Sequence, residues 1–233
     1  MCTLTLMPQP GGGLIITSNR DEAPNRDTLF PDVYEHNGSN LLFPKDTLAG
    51  GTWIGVSDKK RFISLMNGGF TAHERKEEYR MSRGIIVTDL LSSDNLLRTI
   101  NVYDFSGIEP FTIIAADWSV NLMIYELVWD GNDRHLREIP LAPAIWSSSL
   151  LYSDDMKRKR ETWFSEFLFD HLSPTQDEIL QFHKNAGEGN PETDLIMDRI
   201  FVRTKCITQV TIADTLEMYY EDLQEEKIKR IRL

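Results

Sequence analysis

The stretch MCTLTLMPQPGGGLIITSNRDE, residues 1–22, decides the reading of this chain. Residues 2–7 form a β-branched and apolar run that stops at Pro8, Pro10 and three glycines, which is the pattern of a strand closed by a turn. A second apolar, β-branched run follows at residues 14–18, so the two predict a hairpin with a Gly-rich connection. Pairing Met7 with Leu14 sets Cys2 opposite Asn19, with a slip of a residue or two allowed. In either register the cluster Asn19-Arg20-Asp21-Glu22 emerges beside the start of the first strand, where the cysteine stands.

A cysteine at position 2 matters because initiator methionine is commonly removed ahead of a small residue. Cys2 would then carry both a thiol and the chain's free amine. An α-amine titrates near ~8 and a thiol near ~8.5, so the amine can take the thiol proton without an imidazole. Arg20 favours the thiolate and Asp21 holds the amine. The competing reading, of equal weight from this stretch alone, is a small buried hydrophobe that follows the initiator.

The chain has 233 residues, enough to bury a substantial core, and one domain spanning 1–233 is expected. A formal charge of −11 argues against a nucleic-acid surface or attachment to anionic membrane, both of which need a basic face. A small molecule or another protein is the expected partner. No apolar run reaches the ~20 residues of a membrane helix and no secretory signal pattern is present, so the default location is cytoplasmic. The two cysteines, Cys2 and Cys206, are too few for a disulfide framework or a cysteine zinc site. One bridge between them requires adjacent strands. His36, His73, His135, His171 and His183 show no metal-ligand spacing, so no metal and no cofactor is expected.

Residues 23–50, with Pro24, Pro31 and Pro44, read as a long irregular segment. A second hairpin runs from Gly50-Gly51-Thr52-Trp53-Ile54-Gly55-Val56-Ser57 through Asp58-Lys59 to Asn67. A two-residue turn pairs Ser57 with Lys60 and brings Asn67 opposite Gly50. Glycines there admit a ligand or another backbone, and the Asn67 amide can steady an oxyanion; a Gly-rich strand end with a turn-forming asparagine is the plainer reading. Residues 70–82 form a charged loop. Ser82 caps a helix through Leu91, and Asp94 starts a shorter one. Strands follow at 111–117, 121–129 and 135–139, then a short polar connection at 144–149. Helices are expected at about 153–171, with 157–160 on its solvated face, and at about 175–185. Hairpin strands at 201–214 and 216–223 precede a charged tail that can add an edge strand. Helix pairs alternating with strands predict an α+β, four-layer αββα sandwich.

Met1-Cys2-Thr3, Ser18-Asn19-Arg20-Asp21-Glu22, Gly50-Gly51-Thr52-Trp53-Ile54-Gly55, Asn67 at its strand end and Ser82-Arg83-Gly84, taken in order, resemble the transport and Golgi organisation 2 family, also called the NRDE protein family. The resemblance is clear over residues 1–91 and fades afterwards. It implies an N-terminal-nucleophile hydrolase-like αββα fold related to the penicillin V acylase and bile-salt hydrolase group. It implies Cys2 as nucleophile, Asp21 as the aspartate at its amine and Asn67 as an oxyanion donor. The chain departs from the acylases at Ser18, where they carry an arginine, at Trp146-Ser147-Ser148, where an asparagine is expected, and at Lys205, where a late arginine falls. Strand alternation places Lys205 with Arg203 on one face and Cys206 on the other.

Two functions follow. The first is an N-terminal cysteine hydrolase cleaving a C–N amide or acyl bond of a small molecule, with Cys2, Asp21, Arg20 and Asn67 as catalytic residues and Asn19, Gly50, Gly51, Trp53 and Lys205 on the substrate side. The alternative is a non-enzymatic binding or carrier protein for a hydrophobic ligand such as haem or a lipid, haem trafficking being a role discussed for eukaryotic relatives.

Overall fold

The computed structural model describes residues 2–233; Met1 and the Cys2 side chain lie outside the described residues. In chain order the elements are β1 (Cys2–Pro8), β2 (Leu14–Glu22), β3 (Thr28–His36), β4 (Ser39–Asp46), β5 (Ile54–Ser57), β6 (Arg61–Asn67), α1 (Arg83–Ser92) and α2 (Leu96–Val102). They continue with β7 (Phe111–Asp117), β8 (Met123–Trp129), β9 (Arg134–Ile139), β10 (Ala144–Ser147), α3 (Asp154–Asp170) and α4 (Gln176–Asn185). The last four are β11 (Asp198–Arg199), β12 (Val202–Ile212), β13 (Leu216–Asp222) and β14 (Lys227–Arg232). This mixture of antiparallel sheets and helices is the expected α+β class.

The chain forms two compact units: residues 1–25 with 142–232, and residues 26–141. The first holds a sheet ordered β10-β1-β2-β12-β13-β14, with β11 on β12. On one face of it Met7 and Ile15 pack against Phe164 of α3, Ile179 and Phe182 of α4, and Leu195. Both helices start at sequence-encoded caps: the Ser153 hydroxyl accepts from the Met156 N–H, and Thr175 forms a full capping box with Glu178.

The second unit holds the sheet β3-β4-β5-β6-β7-β8-β9. Leu41, Phe43, Ile63, Leu65 and Ile113 make its core with Ile86, Val87, Leu90 and Leu91 of α1. Ser82 caps α1 by accepting from the Gly84 N–H, as expected; α2 is capped by Asn95 and not by Asp94. The meander β7-β8-β9 follows the sequence reading.

Several expectations are corrected. The β1–β2 register is one residue from the one expected, with Pro8 opposite Leu14 and Cys2 opposite Arg20. Five residues make the turn, closed by Gln9 N–H to Gly13 O at 2.8 Å. The segment 23–50 is not irregular but carries β3 and β4, joined at Asn37-Gly38 with φ of 49° and 72°. Positive φ at both central residues marks the tight hairpin turn that asparagine and glycine accept most readily. The β5–β6 loop has three residues and not two: Ser57 pairs with Arg61, with Lys60 left-handed at φ 58°.

The extra loop residue shifts the register by one, and the β5–β6 ladder runs only from Ser57–Arg61 to Ile54–Ser64, so Gly50 is not paired with Asn67, whose partner on the other edge of β6 is Phe111 of β7. Gly50 and Gly51 fold back on β4, with Gly50 N–H on Asp46 O and Asp46 N–H on Gly51 O, both 2.9 Å. The polar connection at 144–149 contains β10, which pairs with β1. Arg160, expected on the solvated face of α3, is 0% exposed. The condition for a Cys2–Cys206 bridge fails because β2 lies between their strands. Two strand spacings amount to about 10 Å, beyond the ~7 Å that a disulfide spans, and Cys206 is buried at 1% exposure.

The start of α1 explains the paired Gly motifs. A Cβ on Gly51 would lie 2.4 Å from the Gly84 carbonyl carbon, so α1 approaches this turn backbone to backbone. Gly51→Ala is expected to destabilise the protein by about 3 kcal/mol through overpacking, measured as a lowered urea midpoint with unchanged slope.

Candidate functional site

The candidate site is built on the first unit, where β2 is bonded on both edges. Arg20 pairs with Cys2 on one side and with Cys206 on the other, while Asp21 pairs with Thr204. The register shifts between Thr204 and Cys206, making Lys205 the extra residue of a β-bulge. This overturns the alternation expected of β12: Thr204 shares the side of Asp21 and Cys206 that of Arg20. The bulge turns the Lys205 ammonium to donate to the Pro24 carbonyl at 2.9 Å.

Consecutive strand residues face opposite ways, so Arg20 and Asp21 part company although adjacent in sequence. Arg20 is 3% exposed and lies 3.9 Å from the Glu22 carboxylate. Asp21 is buried on the helix-covered face. The Thr204 hydroxyl donates to its Oδ1 at 2.6 Å and the Tyr152 hydroxyl donates to its Oδ2. Burial pushes the Asp21 carboxyl above its ordinary range, opposed by these two donors and by the nearby Arg160 charge. Tyr152 is raised well above the usual phenol range, first by burial and then by the Asp21 charge, and so remains a donor at neutral pH.

Two residues before Asp21, Asn19 shares its face and is fully committed to the protein. Its amide nitrogen donates to the carbonyls of His183 at 3.1 Å and Leu195 at 2.8 Å. Its Oδ1 meets His183 Nδ1 at 2.7 Å, and His183 Nε2 meets the Thr5 hydroxyl at 2.7 Å. With Asn19 oriented by two carbonyls, Nδ1 carries the imidazole proton and Nε2 accepts from Thr5. Burial, then the Arg160 charge, lowers the His183 pKa to about 3.

Of the expected site residues, the first unit therefore brings Cys2, Asn19, Arg20, Asp21 and Lys205 to neighbouring positions in three strands, with the Cys2 thiol and the expected loss of Met1 outside the described residues. β10 places Ser147 opposite Thr3, so the Trp146-Ser147-Ser148 segment does border the first strand. In the second unit Asn67 ends β6, Trp53 is 7% exposed and accepts the Leu65 N–H at its carbonyl, and Gly50 and Gly51 form the turn described above. Tyr152, Arg160, His183 and Thr204 are site residues that the sequence reading missed. For Arg160 a signal existed: it lies at helical spacing between Met156 and Trp163, Phe164, on the buried stripe. Among the described residues no cluster of three or more His, Cys, Asp or Glu side chains could hold a metal, and no helix is long and apolar enough to cross a membrane.

The family model for transport and Golgi organisation 2 matches residues 1–206. The mouse Transport and Golgi organization 2 homolog is 33% identical over 116 residues, covering 46% of this chain and 40% of that protein. The bovine homolog is 28% identical over 144 residues, covering 58% and 50%. These matches thus span half or less of the relatives' own length. Among solved structures, a variant of conjugated bile acid hydrolase from Clostridium perfringens matches with a TM-score of 0.64 at 9% identity, over 99% of this chain and 92% of that one. Penicillin V acylase from Agrobacterium tumefaciens matches with a TM-score of 0.62 at 8% identity, over 100% and 86%. The Caenorhabditis elegans ortholog of N-acylethanolamine-hydrolyzing acid amidase matches at 0.60 and 12% identity, over 89% and 92%. These likenesses show the expected N-terminal-nucleophile hydrolase-like fold.

The His183 clamp has a pH consequence. Below about pH 6.5 the unfolded chain binds a proton that folded His183, with a pKa of about 3, refuses. Its contribution to stability is therefore complete above pH 6.5 and is lost as pH falls towards 3. Wild type is expected to lose about 2 kcal/mol more than His183→Gln between pH 7 and pH 5, measured by urea unfolding at both values.

Proposed function

Because the chain belongs to the transport and Golgi organisation 2 family and has a hydrolase-like fold, we propose that it is an N-terminal cysteine hydrolase of a small amide or acyl compound. The observation that carries this reading is the pairing of Cys2 with Arg20 in a ladder that sets the buried, doubly hydrogen-bonded Asp21 at the next position of β2. Support comes also from the structural relatives, which are named as a conjugated bile acid hydrolase, a penicillin V acylase and an ortholog of an N-acylethanolamine-hydrolyzing acid amidase.

In this reading, removal of Met1 frees the Cys2 amine. The amine takes the thiol proton, and the thiolate attacks the substrate carbonyl to form a C–S bond. The resulting oxyanion needs an amide donor, the role that the family resemblance implies for Asn67. As the tetrahedral intermediate collapses, the C–N bond breaks and the departing amine leaves with the proton held by the Cys2 ammonium. Water, deprotonated by the same amine, then cleaves the thioester and restores the thiol. Asp21 binds the ammonium form, and Arg20 favours the thiolate. Lys205 completes the substrate side within the first unit, while the buried Asn19 amide serves to hold β2 to α4.

Intact-mass analysis of native protein is expected to show a chain lacking Met1. Exposure to a panel of amides and esters is expected to leave an acyl adduct on the N-terminal peptide, absent in Cys2→Ala and formed about 100-fold more slowly in Asp21→Asn. A retained Met1, or no adduct from any compound, would overturn the hydrolase and favour the binding-protein alternative; a haem absorbance titration then tests its haem version.

A further inference from the structure

Arg160 is a buried charge without a counter-ion in contact. Its side chain is 0% exposed, and among the described residues no carboxylate forms an ion pair with it. Nη1 donates to the Thr3 hydroxyl at 2.7 Å, and Nη2 donates to the carbonyls of Thr193 at 3.2 Å and Asp194 at 3.0 Å. The Asp194 carboxylate itself accepts from the Glu188 and Gly189 N–H groups, both at 2.9 Å. Neutral oxygens solvate a guanidinium but leave its charge uncompensated, which is costly in a dry interior.

The compensation lies across an aromatic ring. The guanidinium carbon stands 3.6 Å from the centre of the Tyr152 ring, and the hydroxyl of that ring donates to Asp21. A cation on the ring face draws electron density from the phenol and strengthens its O–H as a donor. Cation, ring, hydroxyl and carboxylate thus form one chain from α3 to β2. The groups facing Asp21 include Tyr152 from the segment between β10 and α3, Thr204 from β12 and Arg160 from α3. His183 of α4 feels the same guanidinium and is held neutral, so it adds no second charge.

We propose that Arg160 is a positioning residue for Asp21, keeping the carboxylate ionised and oriented through Tyr152 so that it can hold the Cys2 ammonium. This use of Asp21 rests on the hydrolase reading above. Burial alone favours the neutral acid, and a neutral Asp21 cannot pair with an ammonium. The strand thereby depends on a charge delivered from a helix more than a hundred residues later in the chain.

The test is a carboxyl titration followed by NMR on protein labelled with 13Cγ-aspartate, the Asp21 resonance being identified by its loss in Asp21→Asn. In Arg160→Met the Asp21 midpoint is expected to rise by about one pH unit or more, and in Arg160→Lys to return most of the way to wild type. The pH profile of Cys2 acylation should move with it. Should Arg160→Met fail to fold, Arg160→Gln keeps a donor towards Thr3 and carries the same titration. A lower melting temperature with an Asp21 midpoint unchanged to within about 0.3 unit would make Arg160 merely structural and overturn the inference. A shifted midpoint in a protein whose Cys2 forms no acyl adduct would support the electrostatic role of Arg160 and overturn only the hydrolase reading.

Discussion

The hydrogen-bond ladder that holds β2 between β1 and β12 is the constraint on which the site depends. A strand bonded on both edges cannot slide without breaking two ladders, and a slip of one residue turns every side chain to the opposite face. Such a slip would move Asn19 and Asp21 away from the helices and put Arg20 among them. Three features pin the register. The five-residue turn fixes one end of β2, the Asn19–His183 clamp fixes its middle, and the bulge at Lys205 lets Thr204 meet Asp21 while Cys206 meets Arg20.

The helix-covered face of this sheet changes character along its length. At the turn end, Met7 and Ile15 meet Phe164, Ile179 and Phe182, a contact driven by removing apolar surface from water. Towards the start of β1 the same helices present Arg160 and His183, and the strands answer with Thr3, Thr5, Asn19 and Asp21. These polar groups are costly to bury alone and stable only as a set, because removing one leaves its partners without water or a substitute. The apolar end supplies attachment. The polar end gives the corner beside Cys2 one arrangement of charges and donors.

In the second unit, two motifs far apart in sequence serve one packing contact. Gly51 and Gly84 permit the turn after β4 and the first turn of α1 to meet through their backbones, with Thr52 N–H on Gly84 O at 3.2 Å. Asp46 closes the same turn by accepting the N–H groups of Leu48 and Ala49 and the Arg26 guanidinium. Ser82 caps the helix that the close approach admits. The Gly-Gly-Thr-Trp and Ser-Arg-Gly patterns therefore have a shared steric cause, whatever ligand that region takes.

Local signals carried much of the architecture. Ser82, Ser153 and Thr175 announced helix starts because capping is decided within four residues, and the β7–β9 meander was legible from its period and turns. The β3–β4 hairpin was obscured by Pro31 and Pro44, although Asn37-Gly38 signalled its turn. Four-residue β10 was too short to show a period. Among the site residues, the nearness of residues 19–22 to Cys2 followed from one hairpin. The sequence by itself thus determined the α+β class, the caps and the approach of the NRDE stretch to the first strand, since these depend on neighbours along the chain. The register, the bulge at Lys205 and the gathering of Tyr152, Arg160, His183 and Thr204 around β2 were decided only in the tertiary structure. They are long-range pairings, in which a residue's role is set by what packs on its face of the sheet.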